Sequence, residues 1–134
     1  QWYNGSYIST NAVYGDNGQV PTIKAGQSNT KLIIDTQGAG TYPAKQCEDL
    51  TIYSNDGLFD DWYLPSKYEL NLMYQNIGPG NGLGLGNIGG FANDGYWSST
   101  EYNNGTAWEQ YFDTGFQFSS NKSGAVYVRA IRAF

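Results

Sequence analysis

The chain has no histidine and a single cysteine, Cys47, in 134 residues. The missing imidazole removes a histidine general base, a Ser-His-Asp triad and any imidazole metal site. One cysteine forms no internal disulfide and no multi-cysteine zinc site. Charge is also scarce: Asp, Glu, Lys and Arg make up 14% of the chain, with a net charge of −5. A sequence pI near 4.4 argues against general nucleic-acid binding. No apolar run approaches the length of a membrane span. The chain opens on Gln1, without Met or a signal peptide, as expected of an excised or mature piece.

What is abundant is aromatic and small. Aromatics are 16% of the chain, with 12 Tyr and 4 Trp beside 18 Gly. Aromatic side chains bury large areas, so they offset the modest aliphatic content and predict an ordered fold. The length suits a single domain over residues 1–134, able to bury a core without staples.

Residues 1–40 read as polar and turn-rich, with signals at Asn4-Gly5, Asn17-Gly18 and Gly26 to Asn29. Lys31 to Asp35 is a short apolar run, either a strand or the start of a buried segment. Tyr42 to Leu50 predicts a first helix, with Pro43 in its first turn. A second starts at the Ser66-Lys67-Tyr68-Glu69 capping box and carries an apolar stripe of Leu70, Met73, Tyr74 and Ile77. Gly78-Pro79 stops it, and a long Gly-rich loop follows over 78–95. That loop lacks the strand-to-helix setting of a dinucleotide site, so a mobile or oligomer-packed loop is the better reading. Tyr96 to Thr100 predicts a strand, and Ala107 to Phe112 and Phe116 to Ser119 a hairpin around Asp113-Thr114-Gly115. Ala125 to Phe134 predicts a last, central strand covered on both faces. Two helices segregated from an antiparallel sheet make an α+β domain.

Three strings within this frame carry a resemblance: Asp60-Asp61-Trp62-Tyr63-Leu64-Pro65-Ser66, Tyr96-Trp97-Ser98-Ser99-Thr100-Glu101 with Trp108, and Val128-Arg129-Ala130-Ile131-Arg132-Ala133-Phe134. In this order, over about 26–134, they resemble the bacterial domain family that ends Legionella collagen-like adhesins. The resemblance implies a C-type-lectin-like fold on an extracellular bacterial surface. It implies a homotrimeric head, since a collagen stalk needs three chains. It also implies binding of sulfated glycosaminoglycans or similar polysaccharides, host-cell attachment and self-aggregation. From the residues themselves no enzymatic activity, nucleic-acid partner, membrane insertion or cofactor is expected, since no catalytic motif occurs.

Polyanion capture by an acidic chain needs local basic patches, repeated by symmetry and screened from distant carboxylates. Lys24 and Lys31 flank the polar 25–30 stretch, and Lys122 sits in a Ser/Asn/Gly-rich turn string. These three are the expected ligand contacts, with Lys45 next. Arg129 and Arg132 are expected to pair with Asp60, Asp61 or exposed carbonyls. Strand alternation would send them to opposite faces and exclude one shared site. Trp62, Leu64, Trp97 and Trp108 are read as core, and Cys47 as buried and structural. No calcium-lectin string occurs, although Asn93, Asp94 and Glu101 could offer oxygens. Two rival readings are a protein-binding recognition module, suggested by Tyr/Asn/Ser-rich loops, and a trimerisation cap packing the 78–95 loop.

Overall fold

The computed structural model describes residues 1–16 and 23–133; the Asn17-Gly18 turn signal and Phe134 lie outside them. Helix α1 runs Ala25–Gln37, α2 Pro43–Glu48 and α3 Lys67–Asn76. Strands β1 (Ile52–Ser54) and β2 (Gly57–Phe59) form a small hairpin. Strands β3 (Gly95–Glu101), β4 (Thr106–Tyr111) and β5 (Gln117–Asn121) form an antiparallel three-stranded sheet in the order β3-β4-β5. Among the described residues, three helices and two antiparallel sheets give the α+β architecture expected of a C-type-lectin-like domain.

Helix α3 begins as its sequence predicts. Ser66 accepts from the Glu69 amide, and the Glu69 carboxylate accepts from the Ser66 amide at 2.9 Å. Leu70 and Met73 are buried, whereas Ile77 at the end of the stripe is exposed.

The described residues contain a third helix, and it corrects the turn reading of 26–29. Helix α1 buries Ala25, Gly26, Asn29, Thr30 and Ile33. Its N-cap residue, Lys24, takes φ 77° and supplies no side-chain cap. The cap arrives from α3 instead: Glu69 accepts from the Lys24 amide at 2.6 Å and the Gly26 amide at 2.8 Å. Gly26 is there for closeness, since a Cβ would sit 2.5 Å from the Leu64 carbonyl oxygen. Sequence read it as a turn residue; packing requires it inside a helix.

The terminal segment is also corrected. Residues 125–133 do not run as a regular strand. Tyr127 makes one parallel bridge with Tyr96, and Ile131 one antiparallel bridge with Tyr63. The segment thus leaves β3 for the chain preceding α3 within four residues, and no continuous ladder forms. The β1–β2 hairpin is an addition to the strands expected from sequence; Asn55 and Asp56 form its two-residue turn, and Gly57, at φ 128°, opens β2 opposite Ser54.

Two buried clusters hold these elements. One joins Trp2, Tyr3 and Ala12 to Ile33, Tyr42, Cys47, Leu64 and Trp97. The other stacks Leu70, Met73, Phe91, Tyr96 and Phe112. The amino-terminal stretch, polar to the eye, therefore contributes core: the Trp2 indole donates to the Ser98 carbonyl at 2.7 Å. Leu64 and Trp97 are buried as expected, while Trp62 and Trp108 are half-buried. The 78–95 loop is stitched by its own asparagines. Asn81 bonds Gly78 and Leu85, and Asn87 bonds Phe91 twice.

Glu109 on β4 is buried with Oε2 lacking a partner among the described residues, while Ser120 donates to Oε1 at 2.7 Å. Burial raises its carboxyl pKa, and the Ser120 hydrogen bond only partly opposes this. A raised folded-state value means the protonated form is favoured in the fold. Its stabilisation is therefore full in acid and lost as pH rises through the shifted value. Glu109→Gln is expected to gain about 1 kcal/mol at neutral pH and to flatten that pH dependence. Urea unfolding across the acid-to-neutral range reads this; equal pH profiles for both proteins would refute it.

Candidate functional site

The seven cations of the chain have distinct fates. Lys122 is fully buried, not at an exposed turn tip, and its ammonium meets the Glu101 carboxylate. Glu101 needs that charge because it is itself buried. It accepts from the Thr10 and Asn11 amides at 3.0 Å and from the Ser9 hydroxyl. This arrangement removes Lys122 as a surface contact and leaves no role for Glu101 as a calcium ligand.

Lys45 lies between Glu48, at 3.1 Å, and Asp49. Its hydrogen bonds to Asp49 and then Glu48 raise the ammonium's pKa. Lys31 is exposed and pairs with Asp35 at 3.3 Å. It lines a groove of about 450 Å³ with Asp35, Glu48, Asp60, Asp61 and Trp62. A polyanion approaching Lys31 or Lys45 thus meets carboxylates well inside a Debye length. Lys67 is buried on the Trp108 ring, with Nζ 3.2 Å from its centroid and 2.8 Å from Asp16. Cys47 is buried and its thiol is pushed up to about 12, so it stays protonated at neutral pH.

Lys24, Arg132 and Arg129 form a different group. Lys24 is exposed and has no carboxylate partner among the described residues. It lines a groove of about 400 Å³ together with Leu72, Met73, Ile131 and Arg132. Arg132 and Arg129 both line an adjoining groove of about 500 Å³, which shares Met73 and Ile131 with the first. Three cations therefore succeed one another along two neighbouring depressions.

Local contacts hold the guanidiniums. Arg132 donates to Asp61 at 2.7 and 3.3 Å and lies 4.2 Å over the Phe59 ring. That hydrogen bond holds Asp61 below the usual carboxylate range. Arg129 donates to the Gly89 carbonyl at 3.0 Å and lies 4.6 Å over Phe91. Both Arg partners are of the kinds expected, an acidic neighbour and exposed carbonyls. The opposite-faces inference fails because alternation holds only in a continuous strand. Of the four expected lysines, the structure brings only Lys24 into this group.

The profile of one protein family, described as the Lcl C-terminal domain, matches residues 12–132. No curated protein matches the chain. The matched span holds the α1–α3 frame, the three-stranded sheet and all three cations of the two grooves. The chain belongs to the Lcl C-terminal domain family and is an adhesin-like domain.

Proposed function

We propose that this domain is the non-enzymatic ligand-binding head of a bacterial surface adhesin, and that it captures sulfated polysaccharides, glycosaminoglycans among them. The observation that carries the reading is the run of Lys24, Arg132 and Arg129 along two adjoining grooves. A chain with a net charge of −5 can hold a polyanion if its local balance is favourable: Asp35, Glu48 and Asp60 line the neighbouring α1 groove, while of the carboxylates beside the cationic run Asp61 is held by Arg132 and buried Glu69 is occupied by three amide donors. Arginine suits sulfate because its planar fork offers paired donors. A homotrimer would present the run three times to one long ligand and gain avidity without new contacts. Leu83, Leu85 and Ile88, exposed on the Gly-rich loop, supply an apolar surface that association would cover.

Retention on immobilised heparin against a sodium chloride gradient tests the reading, with oligomeric state measured in parallel by light scattering. Arg129→Gln, Arg132→Gln and Lys24→Gln are each expected to weaken binding by roughly tenfold and to reduce its salt dependence. Lys31→Gln and Lys45→Gln are expected to change it less than twofold. Salt-insensitive retention, or equal loss from all five substitutions, would overturn the assignment.

A further inference from the structure

The floor between Arg129 and Arg132 is hydrocarbon and aromatic. It is built from Ile52 and Phe59 of the hairpin, Trp62, Met73 and Ile77 at the end of α3, and Phe91. Saccharide hydroxyls pressed against Met73 and Ile77 would lose water without gaining partners. The floor therefore suits a different ligand from the rim. We infer that this groove binds a monomeric anionic amphiphile, an alkyl chain ending in a carboxylate.

Charge complementarity around an apolar slot carries the argument. Each guanidinium is held at the slot by an aromatic ring, Arg132 by Phe59 and Arg129 by Phe91. A head group of negative charge then meets Arg129, whose hydrogen bonds go to carbonyls, and beside it Arg132, whose charge is shared with Asp61, while its chain displaces water from Ile52, Trp62 and Met73. A volume of about 500 Å³ lies in the range of small-molecule sites. The inference shares Arg129 and Arg132 with polysaccharide capture, which uses the cationic rim and extends to Lys24, but rests on the apolar floor that capture does not use.

Isothermal titration of the whole chain with decanoate, kept below its micelle concentration, tests it. Decanoate is expected to bind, and octanoate to bind roughly tenfold more weakly, since each buried methylene contributes about threefold to fourfold. Decyltrimethylammonium is expected not to bind. Arg129→Gln and Arg132→Gln should each weaken decanoate roughly tenfold. Ile52→Asp, on the exposed hairpin, should do the same with both guanidiniums intact, and Lys31→Gln should change nothing. Equal binding of the cationic amphiphile, indifference to all three groove substitutions, or binding confined to phosphatidylglycerol vesicles would each overturn the inference. A chain retained by heparin but blind to decanoate refutes this inference alone. One that binds decanoate and ignores heparin refutes the polysaccharide reading alone.

Discussion

Lys122→Met is expected to cost the domain about 3–5 kcal/mol, because it strands a buried carboxylate. The Glu101 side chain is 2% exposed and that of Lys122 0%, so water cannot replace the lost ammonium. Glu101 also gathers the Thr10 and Asn11 amides and the Ser9 hydroxyl, which tie residues 9–11 to the end of β3. Lys122 adds a second tie through its Nζ, which donates to the Ile8 carbonyl and sits 4.6 Å from the Trp2 ring centroid. Urea unfolding should show the midpoint falling by roughly 1–3 M, given usual denaturant slopes. The double variant Lys122→Met with Glu101→Gln should recover a large part of the loss, since no bare charge remains inside. A single variant within 1 kcal/mol of the parent, as a rough threshold, would show that the pair is not a keystone.

Glu69→Ala should be comparably severe, at about 4 kcal/mol, through a different route. One carboxylate accepts from the Lys24, Gly26 and Ser66 amides and from the Tyr63 hydroxyl. Burial, with the Glu69 charge beside it, pushes the Tyr63 phenol up, so it remains a donor at any ordinary pH. Truncation leaves three amides and a phenol facing an apolar gap. Each buried donor without a partner costs about 1–3 kcal/mol, softened by relaxation. Glu69→Gln should fall between the two, because its NH₂ group would confront N–H donors. Hydrogen exchange gives the diagnostic readout: amides in the first turn of α1 should lose protection before those of β3. Uniform loss across the domain would mean that Glu69 acts on global stability and not as the cap of α1.

That remote cap explains much of what could be read from sequence. The start of α3 was legible because Ser66 and Glu69 stand three residues apart and satisfy each other. The start of α1 was not, because its cap lies 45 residues downstream. Lys122 shows the same limit in charge form. Its neighbours Ser120, Asn121, Ser123 and Gly124 describe a solvated turn, yet its partner sits 21 residues back on β3. The Arg129 and Arg132 pairings were foreseeable from donor chemistry. Their common groove was not, because the change of partner between Tyr96 and Tyr63 breaks the two-residue period. Local rules recovered local structure, and tertiary partners decided the rest.

The anchoring of Trp2 has a mechanical consequence. Tension applied at the first residue reaches, within one peptide, a buried indole bonded to the Ser98 carbonyl and an amide bonded to the Lys122 carbonyl at 2.7 Å. Both acceptors lie in or beside the same sheet, so the two bonds and the ring must give way together before a strand can peel. Such a joint resists peeling as one unit, so the first strand of the sheet is guarded by residues that precede it by almost a hundred positions.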